Sequence, residues 1–147
     1  MSSSAEQRFR GGCHCEALWY VYRTRLAPRQ WSVRECQCRF CRAHAALSTS
    51  DPSGSLELGA ATSDALQRYR FGQRSADFLL CRNCGVYVGA VIEAGGHRFG
   101  IINIRALQTP LALLPPPVQI SYANESTAER RTRREKRWTP IAPATTI

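Results

Sequence analysis

All seven cysteines of the chain stand in three clusters: Cys13-His14-Cys15, Cys36-Gln37-Cys38-Arg39-Phe40-Cys41 and Cys81-Arg82-Asn83-Cys84. Thiolate sulfur is both a nucleophile and a soft metal ligand, so disulfides, metal binding and thiol chemistry are all open to such a set. In an extended C-x-C the first and third side chains share a face, which brings Cys13 and Cys15 together and turns His14 away. A C-x-x-C turn wraps its backbone around a metal, and Gly85 directly after Cys84 permits the tight conformation. These two pairs make four thiolates for a closed tetrahedral site, with zinc or an iron–sulfur cluster as the occupant and a structural zinc favoured. Cys36, Cys38 and Cys41 converge from one loop and make only three. Three protein ligands with one open position is the pattern of a catalytic zinc, whose vacancy takes water or a substrate thiolate. A closed second site is the alternative. His44 is the candidate fourth ligand for it, ahead of His14 and His97.

The chain has 147 residues, enough for one domain that folds without disulfide staples. Its polar start and the lack of any long apolar run lead us to expect a cytoplasmic protein with no membrane span, where thiols stay reduced. The net charge is +9, and Lys136 is the single lysine among twenty basic residues. Such a balance suits a polyanion partner such as nucleic acid, or an arginine-rich solvated surface.

The elements that must position these sulfurs read as mainly β. Ala17–Arg23, Trp31–Cys36, Leu66–Phe71, Asp77–Cys81, Val86–Glu93 and His97–Ile104 are rich in aromatic and β-branched residues. Asp51-Pro52-Ser53-Gly54 marks a turn between two short extended runs, and Gly95-Gly96 marks a hairpin. No helix beyond a turn or two is expected before Pro110. We expect a sheet domain over residues 8–107, then a proline-containing connector and basic tail over 108–147. Ser126-Thr127-Ala128-Glu129 fits a capping box and starts a basic helix ending near Trp138. That helix reads as a solvated element anchored by Trp138, or as a polyanion-binding arm.

Gly11-Gly12-Cys13-His14-Cys15, Cys36-Gln37-Cys38-Arg39-Phe40-Cys41-Arg42 and Cys81-Arg82-Asn83-Cys84-Gly85 resemble the glutathione-dependent formaldehyde-activating enzyme family, which includes centromere protein V. Leu66–Gly72 and Ile102–Leu107 are also similar to that family. The resemblance implies a β-tent fold, a structural zinc on Cys13, Cys15, Cys81 and Cys84, and a labile zinc on Cys36, Cys38 and Cys41. It implies carbon–sulfur lyase activity, joining glutathione and formaldehyde into S-hydroxymethylglutathione or the reverse. Zinc in the three-cysteine cup would capture the substrate thiol as thiolate, in preference to polarising the aldehyde. Arg39 and Arg42 beside the cup are the candidates for orienting glutathione's carboxylates, the alternative being that both face solvent. Non-catalytic glutathione or aldehyde binding, and nucleic-acid association, are the competing functions. Glu16 stands where the family commonly has glycine, and Arg42-Ala43-His44-Ala45-Ala46 lacks the glycine often found beyond the third cysteine.

Overall fold

Alternating large apolar side chains generate the strands of the computed structural model, which describes residues 5–147. In chain order the elements are β1 (Gln7–Gly12), β2 (Leu18–Thr24), β3 (Arg34–Cys36), α1 (Arg39–Ala43), β4 (Ser48–Thr49), β5 (Ser55–Ala60), β6 (Leu66–Tyr69), β7 (Asp77–Cys81), β8 (Tyr87–Ala94) and β9 (His97–Asn103). They are followed by β10 (Val118–Ile120), α2 (Thr127–Arg137) and β11 (Thr139–Pro140).

A three-stranded antiparallel sheet has the order β1-β2-β5, and a larger sheet runs β10-β3-β4-β9-β8-β7-β6, with β11 paired to β9. Leu18, Tyr20, Tyr22 and Thr24 point to one face of β2 and are buried with Leu56 and Leu58 of β5. This face packs on the larger sheet to make the main core, which includes Leu79, Val88, Val91 and Ile102. A smaller core, with Phe78, Tyr87, Ala90, Ile92, Ile101 and Trp138, lies around Cys41.

The register of β8 decides which residues reach which core. Leu79 opposes Gly89 while Leu80 opposes Tyr87, so Val88 is an extra residue on β8. A one-residue bulge resets the alternation of a strand. Here Val88 and Val91 enter the main core, and Tyr87, Ala90 and Ile92 enter the smaller one beside Cys41. The β8–β9 hairpin closes through Gly95 and Gly96, both at positive φ, as its two-residue loop requires.

Asp51–Gly54 is a turn, with the Gly54 N–H bonded to the Asp51 carbonyl at 2.9 Å, and the chain changes sheets there. Before it, β4 joins β3 to β9; after it, β5 pairs with β2.

Residues 108–147 do more than trail from the sheet. β10 pairs in parallel with β3, in the register Val118 to Arg34 and Ile120 to Cys36. The Ser126–Glu129 capping box forms in both directions, at 3.1 and 3.0 Å, and starts α2. At the other end of α2 the Ser50 hydroxyl donates to the Arg137 carbonyl at 2.7 Å, serving one of the carbonyls that a helix end leaves open. Trp138 is buried, Thr139 pairs with Gly100, and Ala142 and Thr146 donate to the carbonyls of Leu56 and Leu58. The helix is thereby pinned across the molecule at both of its ends. Among the described residues no helix is long and apolar enough to cross a membrane.

Candidate metal centre

Two groups of cysteines come together, and they are the two expected from spacing. The ligand atoms of Cys13, Cys15, Cys81 and Cys84 lie within 4.8 Å of one another, as do those of Cys36, Cys38 and Cys41. Either group could hold a metal ion. Among the described residues no histidine or carboxylate joins either set. His14 and His97 are exposed, and the His44 ring packs against Phe40 and Tyr87 at 4.5 and 5.7 Å. The three-sulfur group therefore has no fourth ligand from this chain among the described residues.

The quartet is assembled from two turns. Cys13 and Cys15 occupy the β1–β2 connection, while Cys81 ends β7 and Cys84 lies in the turn from it to β8. The Sγ–Sγ separations are 3.7 Å for Cys13–Cys15 and 3.5 Å for Cys15–Cys81. A tetrahedron of thiolates with ~2.3 Å metal–sulfur bonds has edges of ~3.8 Å, so the spacing fits. Backbone N–H groups aim at the sulfurs: Leu18 at Cys13 (3.2 Å), and Asn83 and Cys84 at Cys81 (3.3 and 3.5 Å). Such donors stabilise thiolate charge. Burial pushes the Cys13 thiol up to about 12, an opposing effect that a bound cation would offset. Both turns need left-handed backbone, at Gly85 with φ +82° and at Glu16 with φ +68°. Glu16 thus adopts, as a strained non-glycine residue, the conformation for which glycine is suited.

The trio is local. Cys36 ends β3, Cys38 caps the N-terminus of α1, and Cys41 lies one turn on, buried. The Cys41 N–H points at Cys38 Sγ, 3.4 Å away. Helical spacing puts Cys38 and Cys41 on one face, and the strand end brings Cys36 to them. Hydrogen bonds from Cys36 and Cys41 hold the Cys38 thiol far below the ordinary value. Contacts with Cys36 and Cys38, with burial, push Cys41 far above it, and Cys36 is raised by Cys38. Three crowded sulfurs cannot all ionise alone; a cation between them removes that conflict. Ala45, at φ +49°, carries the chain out of α1 where a glycine is absent.

A cavity of about 200 Å³ opens directly on Cys36, Cys38 and Cys41. Phe71, Phe78, Ile101 and Trp138 give it apolar walls, and no acidic side chain lines it. Tyr87 lies beside it with its hydroxyl buried and unpartnered, close enough to feel the charge of all three sulfurs.

Arg39 and Arg42 are exposed and are not among the lining residues; Arg42 Nε donates to the Gln37 carbonyl at 3.1 Å. The cations that do face the cavity are Arg34 of β3 and Arg130, Arg133 and Arg134 of α2. Sequence reasoning missed them. The signal was the spacing of Arg130, Arg133, Arg134 and Trp138, which places all four on one helical face. The basic helix is only partly solvated, because that face is turned inward.

Residues 8–123 match the family described as glutathione-dependent formaldehyde-activating enzyme. A crystal structure of a Rhodobacter sphaeroides protein is similar to this chain, with 26% identity and a TM-score of 0.59. The similarity covers 76% of this chain and 99% of that one. No curated protein matches the chain.

Proposed function

The chain belongs to the glutathione-dependent formaldehyde-activating enzyme family, and we propose from this that it makes or breaks a carbon–sulfur bond in a thiol–aldehyde adduct such as S-hydroxymethylglutathione. One observation carries the reading. A group of three sulfurs, with no fourth protein ligand among the described residues, lines a cavity.

Zinc is the occupant that best fits both donor sets: four thiolates for a closed structural site, three for a site with one position open to substrate. In the trio, zinc would supply the positive charge that lowers a thiol's pKa into the physiological range. Everything else is done by the chain. Cys36, Cys38 and Cys41 define where the substrate sulfur is held. Phe71, Phe78 and Trp138 exclude water around it, which strengthens electrostatic attraction to the thiolate. The cavity arginines add positive potential and favour the same ionised form.

In the forward direction the thiolate sulfur attacks the aldehyde carbon and a carbon–sulfur bond forms. The carbonyl π pair moves to oxygen, which takes up the proton lost by the thiol. The reverse reaction expels the aldehyde by the same path.

The test combines metal content with exchange kinetics. Freshly purified protein should hold one zinc per cluster, and mild chelation should remove the trio's zinc while the fold remains. Glutathione should slow that loss. The protein should also accelerate exchange between free and thiol-bound formaldehyde, and an exchange rate unchanged in both directions would refute catalysis in favour of simple binding.

A further inference from the structure

The family match ends at residue 123, and α2 begins at Thr127. Yet α2 supplies Arg130, Arg133 and Arg134, and the residue that caps its end supplies Trp138, to the wall of the cavity. One side of the candidate active site is therefore built from residues outside the matched segment.

The cavity arginines are not equivalent. Glu125 accepts from Arg133 Nε and Nη2 at 2.8 and 3.0 Å and from Arg130 Nε at 3.4 Å. The Arg133 guanidinium also lies 3.6 Å from the centroid of the Tyr122 ring. Those two cations share one carboxylate. Arg134 has none among the described residues. It is 8% exposed, its Nη1 donates to the Ser75 hydroxyl at 2.9 Å, and its Nε is buried with no acceptor. Its guanidinium sits 5.0 Å from the Trp138 ring, which fixes its plane without neutralising it. Arg34 donates to the hydroxyls of Ser32 and Ser50. Among the described residues no carboxylate forms an ion pair with Arg134 or Arg34.

A buried charge normally keeps a partner, because desolvation is otherwise uncompensated. Burial first, then Arg133 and Arg130, draws Arg134 down to about 10, which still leaves it charged at neutral pH. No carboxylate among the described residues pairs with it as a counter-charge, and an anion entering the cavity that Arg134 lines would do so. A guanidinium presents a planar fork of donors that matches the two oxygens of a carboxylate.

We propose that Arg134 is a carboxylate receptor on the α2 wall of the cavity, with Arg34 as a second unpaired cation, so that the protein selects thiols bearing a carboxylate over neutral or cationic thiols of similar size. This rests on the reading of the trio as the thiol site, and it makes the C-terminal helix a specificity element.

Calorimetry on the zinc-loaded full chain tests it with four small probes. These are 3-mercaptopropionate, 2-mercaptoethanol, cysteamine and the S-methyl derivative of 3-mercaptopropionate, which has no thiol. The expected result is about tenfold or tighter binding of 3-mercaptopropionate over 2-mercaptoethanol, with cysteamine weakest, in line with a charge-assisted hydrogen bond. Arg134→Met, which keeps a long apolar stem against Trp138, should bring the first two probes to near parity, weakening 3-mercaptopropionate far more than 2-mercaptoethanol. Arg134→Lys should restore part of the preference. Thermal melts identify any variant that has not folded, and the Arg134→Lys comparison then carries the test.

Equal binding of the three thiols by the wild type would overturn the proposal. So would a preference that survives in folded Arg134→Met, or one that falls equally in Arg39→Gln. Failure of the thiol reading looks different: no thiol gains over the S-methyl probe, while that probe still binds through Arg134. Binding of no probe at all would overturn both.

Discussion

Cys15 and Cys81 are 66 residues apart in sequence and 3.5 Å apart at sulfur, whereas Cys36, Cys38 and Cys41 come from a strand end and the helical turn that follows it. The quartet joins the β1–β2 connection to the end of β7 and the turn that follows it, and so ties the small sheet to the large one. A link of that span removes much chain entropy from the unfolded state, while a link within six residues removes little. Their exits differ as well. All three sulfurs of the trio line one cavity, whereas of the quartet Cys13 borders a separate, more open groove. On the proposed function, identical ligands would serve two ends: a long-range pair of turns for stability, and a short loop with only three sulfurs for substrate.

Serine substitutions should separate these roles with the largest effect. Cys81→Ser should abolish the cooperative thermal transition or lower it drastically, since structural metal sites contribute on the order of 10 kcal/mol to folding. Cys38→Ser should leave the transition within a few degrees while removing the trio's zinc and the formaldehyde exchange. Melting curves and metal content per chain check both, and equal loss of stability in the two variants would break the distinction.

Backbone strain gives a smaller and opposite pair. Gly85→Ala, at φ +82° in the quartet's second turn, should cost about 1–2 kcal/mol. Ala45→Gly, at φ +49° just beyond the trio's helix, should raise stability by under about 1 kcal/mol, because relief of strain is partly offset by a freer unfolded chain. Denaturant midpoints at saturating zinc measure both changes.

The smallest effect concerns the cavity wall. Hydrogen bonding to Arg133, then to Arg130, holds the Glu125 carboxyl below the usual range. A depressed folded pKa contributes stability above the unfolded carboxylate value, ~4.3, and loses it as pH falls through the folded value. Glu125→Gln should therefore be less stable than wild type at pH 7 by below about 1 kcal/mol, for a pair still partly open to solvent. That gap should close in acid; a gap independent of pH would show that the carboxylate's charge does not matter.

Much of the architecture was legible because its signals are local. The spacing C-x-C, C-x-C-x-x-C and C-x-x-C-G yields the trio and the two pairs that make up the quartet, since strand and turn geometry bring neighbours within each motif together. Gly95-Gly96 specifies its hairpin through positive φ, and Ser126 with Glu129 specifies the start of α2. Arg39 and Arg42 were suggested by nearness along the chain. In a one-turn helix, however, the face next to Cys38 and Cys41 is turned outward, so these neighbours in sequence stand in solvent.

What the amino-acid sequence determined by itself is the ligand inventory: which sulfurs share a motif, how many there are in each motif, and the β character of the scaffold between them. These follow from side-chain period and turn chemistry within a few residues. Tertiary structure alone decided what surrounds the open group. The parallel pairing of β10 with β3, the Ser50 contact at the end of α2, and the seating of Trp138 carry a helix from beyond residue 123 over Cys36, Cys38 and Cys41. Those contacts span roughly ninety residues, as in Ser50 with Arg137 at a separation of 87. No local pattern encodes which distant surfaces will bury one another, and so the charge of the cavity wall became visible only in the fold.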